Sequence, residues 1–335
     1  MAGISVIIPA HNRALLIGET LCSLLAQTIP ADEIIVVDDG STDDTASVAE
    51  SFGDRVVVLR QENKGPAAAR NAGFSSSRGE FVHFFDSDDI ALPNKHEVQL
   101  RALEESGADI AYGPWMKGRF SKGGLFRPDN HVLQQKGLPQ GDLIQALLTN
   151  WSIVPHACLF RRSIVEKSGG FPEHLFIGED QMMFLNSLLA GARVVHSPGT
   201  MELYRLENDC KLTSPEAGQK RRVIDWARFL LAAEASCLRH GRDPARWYGF
   251  RRRAWEALED LRIFNVDNAI LQNGLKAITE RASPSFYKEL RQLERWKGGI
   301  QQRLTGGRAA RSFRMGLITR EQVAQLNAAG YLLAH

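Results

Sequence analysis

Residues 33–45 read EIIVVDDGSTDDT. Ile34–Val37 is a continuous, mostly β-branched apolar run, the pattern of a strand buried on both faces, and Asp38 and Asp39 stand at its carboxyl end. Beyond Gly40, Ser41 is placed to cap a helix over 42–52, with Asp44 at its third position. Working outward, ISVII (4–8) is a second buried strand, ended by Pro9. Between these strands Leu21, Leu24 and Leu25 recur at helical spacing, which predicts a helix from about Leu15 to Leu25, closed before Pro30. Downstream, VVVLR (56–60) is a third strand, a Gly/Pro/Asn loop leads into a helix around 66–76, and FVHFF (81–85) is a fourth. Four strands with interposed helices in about 85 residues predict an α/β fold with an open, mostly parallel sheet.

The same reading continues with a helix over 94–106 and a strand at 110–113. Residues 114–141, rich in Gly, Pro and Lys, read as a long irregular excursion, the kind of segment that more often carries function than plain connection. A strand or turn at 155–160, a helix over 180–190 and a strand at 193–196 complete a first domain, placed at 1–213. Residues 214–335 read as a helical C-terminal region, with helices over 216–239, 244–263, 267–281 and 285–297. Ser, Gly and Arg dominate 303–316.

The whole chain has 335 residues, 41 Lys plus Arg and 39 Asp plus Glu, a formal net charge of +2. That near-neutral total hides a division. Residues 1–210 carry 18 basic and 27 acidic side chains, whereas 211–335 carry 23 and 12. Several classes drop out. The opening MAGISVIIPAHN has no basic segment before its apolar run, which predicts no secretory signal peptide, and no stretch approaches the length of a membrane span. Cys22, Cys158, Cys210 and Cys237 are scattered without a CxxC pair, which argues against a structural zinc or a disulfide framework and for a reducing compartment.

The chemistry gathers at strand ends. Asp38 and Asp39 close the second strand, and Asp86, Asp88 and Asp89 follow the fourth. In open α/β sheets the crevice beyond the carboxyl ends of the strands is where ligands bind. Crowded carboxylates repel one another unless a cation neutralises them, and a hard divalent ion with oxygen ligands suits that need. A helix start before Leu92 is the plainer account of Asp88 and Asp89. Neither a GxGxxG nor a P-loop follows the first strand, so dinucleotide and P-loop enzymes are poorly supported. In NKGPAAARNAG (63–73), Lys64 and Arg70 are available to balance phosphate charge, while Ala67–Ala69 permit close helix–sheet packing. His83, inside an apolar strand, and His96 read as packed residues; Trp115 and Trp151 read equally as sugar-stacking faces or as core.

Taken together, SVIIPAHNR, IIVVDDGSTDDT, NKGPAAARNAG and GEFVHFFDSDD, in this order over residues 4–89, resemble the nucleotide-sugar-binding half of family 2 glycosyltransferases with the GT-A fold. GGFPEHLFIGEDQMMFLNSLLAGARV (169–194) resembles the acceptor-side segment of the same family, and Tyr204–Arg205 a further motif. The resemblance covers roughly 1–210. It implies an inverting transfer of a sugar from a nucleoside-diphosphate-sugar, UDP-linked for preference, to a hydroxyl of a glycan or lipid-linked acceptor in cell-surface polysaccharide synthesis. By resemblance, Pro9, Ala10, His11 and Asn12 line the nucleotide pocket, with His11 where relatives often carry a tyrosine. Asp39 contacts the base with Asp38 beside it, and Arg70 helps hold the nucleotide. Asp86–Ser87–Asp88 is the DXD-type motif, Asp88 the ligand of Mn²⁺ or Mg²⁺ and Asp86 facing ribose and sugar. Asp180 is the catalytic base with Glu179 as runner-up, and a helix N-terminus is the plain alternative for both. His196 is a second candidate metal ligand.

Three accounts of the basic region stay open: a solvated helical face with core aromatics, attraction to an anionic membrane surface, or binding of an acidic glycan or protein partner. No recognised nucleic-acid module accompanies the charge, and nucleic acid is not an expected partner. The expected location is cytoplasmic, with a peripheral position at the inner membrane face if the acceptor is lipid-linked. A nucleotidyltransferase would carry a glycine-rich loop with a lysine where this chain has PAHNR. A catalytically degenerate binding module would have no need of Asp88 and Asp180.

Overall fold

The computed structural model describes residues 3–120, 126–128, 137–206 and 218–280. Two compact units emerge, one drawn from Met1–Leu138 with Ile153–Glu207, the other from Pro139–Ser152 with Asn208–Met315.

The first unit opens with β1 (Ile4–Ala10), α1 (Ile17–Leu25), β2 (Glu33–Asp39), α2 (Thr45–Glu50), β3 (Val57–Gln61), α3 (Pro66–Ser76) and β4 (Phe81–Phe84). It goes on with β5 (Ile90–Ala91), α4 (Lys95–Ser106), β6 (Ile110–Tyr112), β7 (Trp115–Phe120) and β8 (Phe126–Pro128). After α5 (Leu143–Thr149), which belongs to the second unit, come β9 (Cys158–Arg161), α6 (Arg162–Ser168), α7 (Glu179–Leu189), β10 (Val194–His196) and β11 (Glu202–Arg205).

Seven strands form one sheet in the order β10-β6-β9-β4-β1-β2-β3. The pairs β1–β2, β1–β4, β2–β3 and β6–β10 are parallel, and β9 alone runs against both its neighbours. The α/β fold with a mostly parallel sheet is thus as expected. Val6, Ile7, Ile8, Val36 and Val37 are fully buried, so β1 and β2 have helices on both faces, the condition that continuous apolar runs encode. Gly73 shows how closely α3 lies on that sheet: a Cβ there would stand 2.4 Å from Cγ2 of Ile7.

Three local expectations are corrected. The helix after β2 begins at Thr45 rather than 42, and Ser41 does not cap it: its Oγ accepts the backbone N–H of Asn12, tying the ends of β1 and β2 together. Leu15 lies outside α1 and is exposed. The supposedly irregular 114–141 contributes β7 and β8 to a second sheet, ordered β5-β11-β7-β8. Lys117, Gly118 and Arg119 interrupt the apolar pattern of β7, which hides the strand from a periodicity reading. Its small core holds Ile90, Leu92, Met116, Phe126, Met201 and Leu203.

Helices make up the second unit: α5, α8 (Gln219–Arg239), α9 (Tyr248–Ile263) and α10 (Ala269–Thr279). Phe229, Leu230, Ala233, Phe250, Ala254, Leu261 and Leu275 are buried, at the helical spacing that makes one apolar face per helix. Arg251–Arg253 are half-buried and engaged within this unit. Arg251 donates to the carbonyls of Ala245 and Arg246, Arg252 pairs with Glu256, and Arg253 lies over Trp226. That favours the helical-face account for this triplet. The expected helix at 285–297 and the arginines of 291–314 lie outside the described residues. Among the described residues no helix is long and apolar enough to cross a membrane.

Candidate active site

At the carboxyl ends of β1, β2 and β4 the chain breaks into loops that hold one another. Asn12 takes a left-handed conformation at φ 52°, and its Oδ1 accepts the N–H of Thr42 at 2.8 Å. Nδ1 of His11 lies 2.9 Å from the carbonyl of Asp39. A carbonyl only accepts, so that nitrogen carries a proton, and Nε2 lies 3.4 Å from the amides of Asn12 and Asn63. Pro9 is half-buried and Ala10 buried at the end of β1.

Asp39 is buried and fully engaged. Its Oδ1 accepts from Nε2 of Gln61 and the N–H of Lys64, at 2.7 and 2.8 Å, and its Oδ2 accepts the N–H of Gly65 at 2.8 Å. Asp38 accepts the N–H of Ser41 at 3.3 Å. Both aspartates therefore shape the loops around the strand ends. Gly40 completes that turn at φ +71°, where a Cβ would come within 2.8 Å of the Asn63 nitrogen. The Lys64 side chain is exposed.

The turn after β4 is the centre of the arrangement. Arg205, buried at the end of β11, grips it: its backbone N–H and its Nε each donate at 2.9 Å, to Oδ1 of Asp89 and to the carbonyl of Asp88. Its guanidinium also pairs with Glu19 and stacks over Phe120. Oγ1 of Thr20 donates to the Asp89 carbonyl. Oδ2 of Asp88 sits 3.6 Å from Nε of Arg13, and Ser87 is buried between the aspartates.

His156 closes the site from the other side. It sits in a tight turn, Pro155–Ala157, directly before β9, the strand that lies next to β4. Its Nδ1 is 2.9 Å from Oδ2 of Asp86 and 3.5 Å from Oδ2 of Asp89. Burial alone would depress the imidazole pKa, but the hydrogen bond to Asp86 and the charges of Asp89, Asp86 and Glu202 outweigh it, raising it to about 9. Burial would raise the Asp86 pKa, yet the His156 hydrogen bond and the Arg70 charge hold this carboxyl well below the usual range. Asp89 goes the other way. Burial first, then the neighbouring Asp88 and Asp86, push it up to about 8.

Among the described residues Asp86, Asp89 and His156 form a group able to hold a metal ion, with ligand atoms all within 4.8 Å of one another. Oδ2 of Asp89 is buried without a hydrogen-bond partner and faces Nδ1 of His156 at 3.5 Å. Two carboxylate oxygens and one imidazole nitrogen suit Mn²⁺ better than Mg²⁺, which takes oxygen ligands, so these residues fit a divalent cation. His196, the histidine expected near the metal, instead lies on β10 at the edge of the sheet, its ring tilted against that of Tyr112 on β6 with centroids 4.8 Å apart. Nothing in the local pattern of SIVPHACLF marks His156; only the sheet order brings it to the aspartates.

Arg70 joins this centre to the Glu179–Asp180 pair. Buried on α3, it sends NH2 to Oδ1 of Asp86 at 2.9 Å and NH1 to Oε1 of Glu179 at 3.1 Å, with its guanidinium carbon 5.2 Å from the Phe171 ring centroid. Glu179 and Asp180 begin α7, after Gly178 at φ +85°. Glu179 is buried and committed to Arg70; Asp180 is half-buried and its Oδ1 accepts the N–H of Gln181. Burial, then the Asp180 charge, raises Glu179 to about 7 against the lowering pull of Arg70. Asp180 is raised as well, chiefly by burial. Of the expected site residues, then, Arg70, Asp86, Asp88, Glu179 and Asp180 share one linked cluster, His11, Asn12, Asp38 and Asp39 form an adjoining loop cradle, and His196 stands apart. His83 and His96 are packed, as read, against each other at 3.0 Å. Trp115 and Trp151 are both buried, which makes them core.

Residues 5–169 match the profile described as Glycosyl transferase family 2. The succinoglycan biosynthesis protein ExoU of Rhizobium meliloti is 31% identical over 260 residues, 71% of this chain and 74% of ExoU. Three further curated glycosyltransferases match at 30–39% identity, and there the chain spans only 30–42% of the relative's length. Among solved structures, S. aureus TarS 1-349 in complex with UDP-GlcNAc superposes at a TM-score of 0.59 with 22% identity, over 82% of this chain and 79% of that one. Mannosyltransferase PcManGT from Pyrobaculum calidifontis, in complex with GDP-Man and Mn²⁺, does so at 0.52 with 20% identity, over 98% and 86%. At these identities the structural likeness speaks for the fold.

Proposed function

The chain belongs to glycosyl transferase family 2, with the GT-A fold, and on that premise we propose that it moves a sugar from a nucleoside-diphosphate-sugar to an acceptor hydroxyl, with inversion at the anomeric carbon. The donor proposed is UDP-linked and the acceptor a glycan or lipid-linked saccharide of cell-surface polysaccharide synthesis. The TarS complex with UDP-GlcNAc and the ExoU likeness support that choice.

One observation carries the reading: the buried Arg70 binds Asp86 of the DSDD turn with one nitrogen and Glu179 of the Glu179–Asp180 pair with another. Donor-side and acceptor-side carboxylates thereby share one rigid mount. In the proposed reaction His11, Asn12 and the loops pinned by Asp38 and Asp39 cradle the nucleotide. Asp86, Asp89 and His156, with Asp88 beside them, would hold a divalent cation, whose charge, when bound, offsets that developing on the leaving diphosphate. The Mn²⁺ in the mannosyltransferase complex supports this assignment.

Asp180 takes the proton of the acceptor hydroxyl. It is the reachable member of the pair, because Glu179 is buried against Arg70. A base whose pKa is raised toward the working pH is better matched to a weakly acidic hydroxyl. Attack by that hydroxyl from the face opposite the diphosphate inverts the anomeric centre. The 1–213 domain would contain all of this chemistry. For the basic 214–335 region the proposal is peripheral contact with an anionic membrane surface that carries the acceptor, through arginines other than the internally engaged Arg251–Arg253.

The test is nucleotide release from a panel of UDP-, GDP- and dTDP-sugars with Mn²⁺ or Mg²⁺, with the anomeric configuration of the product read by NMR. Turnover with one donor, lost in Asp180→Asn, supports the reading. No turnover and no metal-dependent donor binding with any member of the panel overturns it.

A further inference from the structure

Behind His156 lies a charged pair that the proposed reaction leaves unused. Lys95, the first residue of α4, and Glu202, the first of β11, are each 0% exposed, and Nζ of Lys95 pairs with Oε1 of Glu202. Removing two charges from water is costly, and an apolar pair of similar volume often serves stability as well or better. Some requirement other than stability should therefore keep the pair in place. The second carboxylate oxygen points to one. Oε2 of Glu202 lies 3.9 Å from Nε2 of His156, and both atoms are buried with no hydrogen-bond partner. The other ring nitrogen, Nδ1, is the one that faces Asp86 and Asp89.

A histidine that ligates a metal through one nitrogen commonly donates the other N–H to a carboxylate, which fixes tautomer and ring orientation. We infer that Glu202, held in place by Lys95, is the positioning carboxylate of His156, keeping the proton on Nε2 so that the Nδ1 lone pair faces a divalent cation shared with Asp86 and Asp89. The gap between Glu202 and Nε2 is short enough for a small side-chain adjustment to close. The backbone of His156 is held as well, since Nε2 of His83 lies 3.2 Å from its carbonyl. Lys95 acts one step further out. Without it, Glu202 would be a lone buried anion and would not keep this orientation.

The inference rests on the metal assignment above, and the experiment separates the two. Binding of Mn²⁺ alone is followed by the EPR signal of the free hexaaqua ion, in wild type and in Lys95→Met/Glu202→Leu, which removes both charges together and so leaves neither stranded. Lys95→Met/Glu202→Gln, which keeps a neutral acceptor near Nε2, is the second variant, and the ring ¹⁵N shifts of His156 with diamagnetic Zn²⁺ bound report which nitrogen keeps the proton. The expected result is a rise of about 10–100-fold in the Mn²⁺ dissociation constant for the Leu variant. A smaller rise is expected for the Gln variant, with unfolding midpoints near that of wild type and a His156 tautomer shifted away from Nε2–H. A folded Leu or Gln double variant that binds Mn²⁺ within twofold of wild type, with unchanged ¹⁵N shifts, overturns the role of Glu202 while leaving the metal assignment standing. A wild-type chain that binds no Mn²⁺ overturns the metal assignment and this inference with it.

Discussion

Arg70→Met should destabilise the protein in a pH-dependent way that identifies Glu179 as its partner. The guanidinium is buried and makes charged hydrogen bonds to Asp86 and Glu179, at 2.9 and 3.1 Å. Removing one member of a buried ion pair costs roughly 3–5 kcal/mol, because the remaining charge is stranded. Two partners are lost here, but neither strands completely. Asp86 keeps His156, and Glu179 can escape by taking up a proton. The expected loss is therefore about 3–5 kcal/mol at pH 8.

The pH dependence follows from the direction of the Glu179 shift. Its folded-state pKa, about 7, already lies above the ordinary glutamate value of 4.5, so the folded protein binds this proton more tightly than the unfolded chain. Its contribution to stability is complete below about 4.5 and is lost as pH rises through 7. Without Arg70, which pulls that pKa down, the folded value rises further and the loss deepens above pH 7. At pH 5 Glu179 is protonated with or without Arg70, and only the Asp86 share of the penalty remains, about half. Urea unfolding of wild type, Arg70→Met and Arg70→Met/Glu179→Gln at pH 5, 6.5 and 8 measures this. The double variant should recover at least about 1.5 kcal/mol of the loss at pH 8 and little at pH 5. An Arg70→Met penalty below about 1 kcal/mol at pH 8, or one unaffected by Glu179→Gln, would refute the account of Arg70 as the shared cation.

Asp180→Asn should lower kcat by about 10²–10⁴-fold while leaving donor affinity and the unfolding midpoint close to wild type, since the variant removes proton acceptance and little else; steady-state kinetics with calorimetric donor binding checks both halves. For the wild-type enzyme kcat/KM should climb with pH, with a midpoint above the ordinary aspartate value of about 3.9, because burial raises the pKa of Asp180 and the reaction needs its ionised form; a rate already at its plateau at about pH 4 would contradict this. Gly73→Ala should cost about 1–3 kcal/mol in thermal or urea unfolding, as its Cβ would be driven to 2.4 Å from Ile7 on β1. EDTA should abolish transfer and Mn²⁺ restore it, with the midpoint of recovery shifted upward in His156→Asn and unshifted in His196→Asn.

Much of the fold was legible because its signals are local. Ile34–Val37 is apolar without interruption and Ile4–Ile8 is broken only by Ser5, and a strand buried on both faces needs little more to declare itself. Pro9 and Pro30 end elements through their own geometry, and Asp39 and Asp86 follow apolar strands directly. Of the short strands, β6 and β10 were expected at 110–113 and 193–196, whereas β8 was not, three residues being too few to display a period. β7 was hidden by its charged residues, which a small mixed sheet tolerates and a buried parallel one would not.

What residue order determined about this protein is therefore the succession of strands and helices in the first 85 residues, the placing of its aspartates at strand ends, and the family those motifs belong to. Each depends on interactions within a few residues. Only the tertiary structure decided which of those acids meet, and what they meet. His156 reaches Asp86 across 70 positions because β9 lies beside β4, Arg70 reaches Glu179 across 109, and Lys95 finds Glu202 across 107. A buried charge is tolerable only beside its partner, and that partner is chosen by strand order and helix packing, which no run of neighbouring residues encodes.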